Sequence, residues 1–154
     1  RSGGDLCCLL DERLVSHYAW QDEEHLLAWG RKTPWGDGYL LVRDRTSQVQ
    51  AVGQGVLDPY GDGHPSFAPD RRRIVTDTYP DKARMRHLLL YNRETGKLRE
   101  VGRFFAPLAY EGARRCDLHP RWNRAGTKIS VDSCHEGFRR AYVIDITEII
   151  RQEP

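Results

Sequence analysis

DGHPSFAPDRRRIVTDTYPD, residues 62–81, sets a histidine between glycine and proline, then an aromatic, a Pro-Asp turn, and an apolar run that stops on an aspartate. The same grammar occurs twice more, as SHYAWQDEEHLLAW at 16–29 and LHPRWNRAGTKISVDS at 118–133. Each copy reads His, two residues, a large aromatic (Trp20, Phe67, Trp122), a polar turn, then a short apolar segment. His17, His64 and His119 therefore recur at intervals of roughly fifty residues, a period that marks propeller blades or other stacked repeats.

The segments after each copy repeat as well. GYLLVRD (38–44), RHLLLYNRETGKLREVG (86–102) and RRAYVIDITEII (139–150) each hold a strand-like run ending in Asp or Asn, and in the first two a polar turn leads to another short segment. Runs of Val, Ile, Leu and Tyr bounded by Gly, Asp, Asn and Pro are strand signals. Each unit thus predicts four short antiparallel strands, and the chain an all-β fold, a β-propeller segment of about three four-stranded blades over 14–57, 61–103 and 116–150. The opening SGGDLCCLLDE predicts a turn and one outer strand, within 1–12, of a preceding or closing blade. The last unit shows no fourth strand. Since closed propellers hold about four to eight blades, the reading is a piece of a larger ring or a half-ring that a second copy completes. Self-association is an expectation on either count, because unpaired strand edges invite pairing.

Composition sets weaker bounds. The formal net charge is +2 over 154 residues, so no nucleic-acid partner is expected. No stretch approaches the roughly 20 apolar residues of a membrane span. No signal peptide is visible, which points to a cytoplasmic placement, although a leader removed beforehand would leave no trace. Twenty of the 24 basic residues are arginine, whose planar fork suits carboxylates and phosphates; a GC-rich genome gives the same bias. Cys7, Cys8, Cys116 and Cys134 form no CxxC pair and read as small, partly buried thiols.

The motifs HPSFAPDRRRIVTD and HPRWNRAGTKISVDS resemble the repeat of Tol-type propellers. The set SHYAW, DGHPSFAPD, DTYPD, RCDLHPRW and CHEG is similar, more narrowly, to the oligogalacturonate lyase family, over about residues 14–146. In parts of the turns the chain departs from that pattern: PDRRR and RAGTK replace the usual Ser-Pro-Asp-Gly, and QDEEH lacks it. The resemblance implies β-elimination on uronate oligosaccharides; the Tol-type alternative is a non-catalytic module that binds protein or carbohydrate. A peptidase propeller is the third class, and no Gly-x-Ser-x-Gly elbow is present to support it.

A propeller's first strands line the central channel, so the three repeat histidines should meet on one rim. Three imidazoles with an open position suit a divalent ion, Mn, Zn or Fe, with manganese the expected one; a purely structural role at the strand starts is the other reading. Asp62 and Asp117 each stand two residues before a repeat histidine and either orient it or cap a turn. Asp77 and Asp132 end matching strands and should bond turn backbone. Arg84, Arg86 and Arg121 are candidate contacts to substrate carboxylates. The elimination needs an electrophile for the carboxylate, metal or arginine such as Arg115, and a base, for which His135 in SCHEG, with Glu136 beside it, is the candidate.

Overall fold

The computed structural model describes residues 4–152. They form three antiparallel sheets side by side. The first holds β1 (Val15–Trp20), β2 (His25–Lys32), β3 (Gly36–Arg43) and β4 (Val49–Val52) in that order. The second holds β5 (Ser66–Phe67), β6 (Arg73–Asp77), β7 (Met85–Asn92) and β8 (Leu98–Phe105). The third holds β9 (Arg121–Trp122), β10 (Lys128–Ser133) and β11 (Arg140–Asp145). These are three blades of a propeller, with the inner strands β1, β5 and β9 in contact one after the other.

Side-chain caps close the first turn of every blade, in three chemical versions. Asp22 Oδ1 accepts the amides of Glu24 and His25 at 2.9 and 2.8 Å, so QDEEH makes the turn without proline or glycine. Asp70 Oδ1 accepts Arg72 N at 2.9 Å, and Asn123 Oδ1 accepts Thr127 N and Lys128 N at 2.9 and 3.0 Å. Short polar side chains that bond backbone two or more residues on stabilise such turns. In the second blade the left-handed position is taken by Arg71, with φ 60°, where the third has Gly126 at φ 69°.

The core lies between blades. Leu27, Trp29, Tyr39 and Leu41 of the first pack on Ile74 and Tyr91 of the second. Val75, Leu88 and Leu90 of the second pack on Ile129 and Val131 of the third. The motif aromatics belong to these seams: Phe67 packs against the first cluster and Trp122 against the second, with Trp122 Nε1 donating to Ser66 O at 3.1 Å. Trp20, at the matching place in the first blade, is 53% exposed.

One expectation is corrected. Residues 4–14 form no strand, although Leu14 O accepts Arg31 N at 3.1 Å; Leu10 instead reaches the β2–β3 face near Gly30 and Leu40. Residues 1–3 of that expected strand lie outside the described residues. The last strand ends on its aspartate as the sequence suggests: β11 stops at Asp145 and gives way to a short helix α1 (Thr147–Arg151). Asp145 Oδ1 accepts Thr147 N at 2.9 Å, and the turn carries Ile146, Ile149 and Ile150 back over the second core cluster.

Candidate functional site

The three repeat histidines meet. His17 lies on β1, and His64 and His119 stand just before β5 and β9. The rings of His17 and His64 are 3.9 Å apart between centroids, and those of His64 and His119 4.2 Å. The repeat explains this: one address per blade, at the channel end of the inner strand, brings three residues distant in sequence onto one axis.

Their carboxylate partners are distributed unevenly. Asp77, 1% exposed and ending β6, takes His64 Nδ1 at 2.9 Å and His64 N at 2.6 Å on Oδ1. Its Oδ2 accepts Leu118 N and His119 N at 3.0 and 3.1 Å, so one buried carboxylate ties the second blade to the third. Gly63 is required beside it, since a Cβ there would collide with the Asp77 carbonyl oxygen. Asp132, at the matching place in β10, lies 3.7 Å from His119 Nδ1. In the first blade Trp29 occupies that place, three residues beyond Leu26, which faces the motif aromatic as Ile74 and Ile129 do in the other two. His17 Nδ1 is held instead by Asp62 of the next blade, at 3.1 Å.

Asp117 pairs with arginines, a part other than the two open to it from sequence, orienting its histidine or capping a turn. It is buried, with Arg115 Nε on Oδ2 at 2.6 Å and Arg86 Nη1 2.8 Å from Oδ1. The Arg86 contact lacks hydrogen-bond geometry, which leaves Asp117 Oδ1 and Arg86 Nε without a hydrogen-bond partner. One donor atom each of His64, Asp117 and His119 lie within 4.8 Å of one another. His17 is not in that set.

The candidate arginines divide. Arg115 stays at the mouth, stacked over Tyr79 with its guanidinium carbon 5.1 Å from the ring centroid. Arg121 lines two open clefts, one of about 450 Å³ with His119, Ser130 and Asp132, the other of about 370 Å³ with His17, Tyr18 and His64. Arg86 is buried beneath the site, bonded to Thr78 O at 3.3 Å. The guanidinium of Arg84 is engaged by Ala106 O at 2.9 Å and by Glu111. His135 stands on the turn after β10: its Nδ1 lies 2.8 Å from Ser133 Oγ, and its ring packs on Tyr142 and Phe104 at 4.7 and 5.4 Å. None of those contacts is with the three imidazoles.

Burial pushes the Asp77 carboxyl up, but the His64 ring and the backbone amides of His64 and His119 outweigh it and hold it below the ordinary aspartate range. Burial, then the charge of His64, holds His119 below its ordinary value against the pull of Asp77, Asp117 and Asp132. The two groups act at different pH. A depressed histidine favours the native state only while uncharged, so its contribution is lost as pH falls through the ordinary value of about 6.5. The depressed aspartate stabilises above its ordinary pKa, and that contribution is lost as pH falls through its lowered native one. Urea midpoints should therefore drop in two stages, the first between about pH 7 and 5 and absent from His119→Asn, the second in the acid range. A midpoint flat from pH 8 to 5 would contradict the first.

No family model and no curated protein matches the chain. Solved structures do, as folds. TolB from Acinetobacter baumannii aligns with a TM-score of 0.63 and 16% identity, over 86% of this chain and 30% of that one. An oligogalacturonate lyase from Vibrio parahaemolyticus aligns at 0.62 and 15%, over 88% and 36%. The β-propeller domain of the Trilobed protease from Pyrococcus furiosus, described as having an open velcro topology, aligns at 0.55 and 11%, over 88% and 39%. The chain spans about a third of the length of these structures.

Proposed function

We propose that this chain carries the rim of a metal-assisted lyase that cleaves uronate oligosaccharides by β-elimination. The observation that carries the reading is the convergence of the His17, His64 and His119 rings, with one donor atom each of His64, Asp117 and His119 within 4.8 Å of one another. Two neutral imidazoles and a carboxylate suit a divalent first-row ion such as manganese. His64, His119 and Asp117 would hold it, with Asp77 orienting His64 in the way metal-bound histidines usually require. When bound, the ion supplies an electrophile for the carboxylate next to the carbon that loses its proton.

The remaining work falls to side chains. Arg115 is fixed by Asp117 and Tyr79 and presents its outer nitrogens at the mouth, where a uronate carboxylate takes a bidentate partner. Arg121, between the two clefts, takes a carboxylate of a neighbouring sugar. His17 is the base: Asp62 holds Nδ1 and leaves the Nε2 lone pair free to take the proton. As that proton leaves, electrons move into the ring carbon–carbon bond, the bond to the 4-linked oxygen breaks, and that oxygen takes up a proton from water in the open cleft. His17 replaces His135 in this role, because His135 packs among the outer strands. The Tol-like fold serves a non-catalytic module equally well, and one experiment separates the two.

Metal analysis of the manganese-loaded chain should find bound ion that His64→Ala and His119→Ala lose together. The loaded chain, and any longer protein that contains it, should generate the ultraviolet absorbance of an unsaturated uronate from oligogalacturonate. Bound sugar without absorbance change would favour the binding module, and a wild-type chain free of metal under replete conditions would end the ligand assignment.

A further inference from the structure

We infer that Cys116 and Cys134 form a reversible disulfide that fastens the segment bearing Asp117 and His119 to the end of β10. Asp132 N donates to Leu118 O at 2.8 Å, which sets the stretch before β9 antiparallel to the end of β10. Carried two residues further, that registration puts Cys116 opposite Cys134. Directly opposed residues of an antiparallel pair hold their Cβ atoms about 4.5–5.5 Å apart, within a small backbone adjustment of disulfide geometry. Both thiols are free, and both are buried, at 1% and 2% exposed. After burial itself, the Cys116 thiol is the neighbour that pushes the Cys134 thiol up, so the two sulfurs interact already in the reduced chain.

Access comes from the turn beyond. Residues 136–140 are exposed, Gly137 adopts φ 89°, and the turn is closed by Gly137 N on Cys134 O at 2.9 Å. Arg139 covers the pair from that turn, with Nε 3.3 Å from Cys116 Sγ and Nη2 on Arg115 O at 3.1 Å. Local opening of such a strand end exposes the sulfurs without unfolding the blade. The oxidant is a low-molecular-weight disulfide. One cysteine, as thiolate, attacks it and releases one small thiol; the second cysteine, as thiolate, attacks the mixed disulfide and releases the other. Two protons leave the cysteines, and two electrons reduce the small disulfide to two thiols. The closed link spans the whole inner hairpin of the third blade, including His119.

The test uses the full chain with Cys7→Ser and Cys8→Ser, since those two thiols are exposed. It is equilibrated across ratios of oxidised to reduced glutathione, alkylated under denaturing conditions, and mapped by mass spectrometry. The two thiols should vanish together, with a linked peptide pair containing Cys116 and Cys134 that dithiothreitol reverses. The thermal midpoint should rise by roughly 5 °C or more on oxidation, and should not rise when Cys134→Ser is added. Two alkylatable thiols at every ratio, or glutathione on either cysteine with no internal link, would overturn the pair. A link without a rise in midpoint would overturn the fastening.

Discussion

Asp77→Ala should destabilise this chain by about 3–5 kcal/mol, the range for leaving several buried backbone amides without their acceptor. The carboxylate is 1% exposed and accepts from His64 N, His64 Nδ1, Leu118 N and His119 N. Its loss leaves three backbone amides of the inter-blade seam without their acceptor, each costing about 1–3 kcal/mol where no water replaces it. Against a total stability of roughly 5–15 kcal/mol for a domain, that is a large share, and urea denaturation at neutral pH reads it. Asp132→Ala, at the matching place in the third blade, is the internal control. Asp132 is half exposed and only 3.7 Å from His119, so its loss should cost under about 1 kcal/mol. Equal losses in the two variants would refute the view that Asp77 joins the blades.

His17→Ala should lower the elimination rate by about 10²–10⁴, the usual range for a general base, while manganese affinity stays as it was. The separation comes from the donor set, which holds His64, Asp117 and His119 within 4.8 Å and omits His17. Asp62→Asn should produce a smaller loss of the same kind, roughly tenfold to a hundredfold, since it acts by holding Nδ1. His119→Ala should lose metal and rate together. A His17→Ala chain whose metal affinity falls in step with its rate would return His17 to the ligand set.

The repeat was the most legible part of the chain. A histidine, an aromatic and a turn in three copies predicted three sheets, and the inner-strand address predicted that the imidazoles would meet. Among the described residues the third sheet has three strands, and the sequence showed no fourth. Local chemistry misled at the edges. LCCLLDE has the apolar content of a strand yet pairs with none, and the short helix α1 that follows the Asp145 cap was not read from DITEII.

The carboxylates were the least legible. Asp62 stands two residues before His64 but serves His17, 45 positions away, and Asp117 faces arginines from two segments. The one sequence signal available was the comparison of strand ends: Asp77 and Asp132 match, and Trp29 breaks the pattern, so the first histidine must find its partner elsewhere. His135 has suitable chemistry but stands on a turn with its ring in contact with Phe104 and Tyr142, a placement that nothing in the sequence signalled.

Alternation and turn chemistry act over two to five residues, so the chain alone determined its strands, its blade count and the shared address of its histidines. Which carboxylate meets which imidazole was decided only when the blades packed, because Coulombic attraction and hydrogen bonding depend on distance in space, and Asp62 and Asp77 each reach partners more than forty residues away.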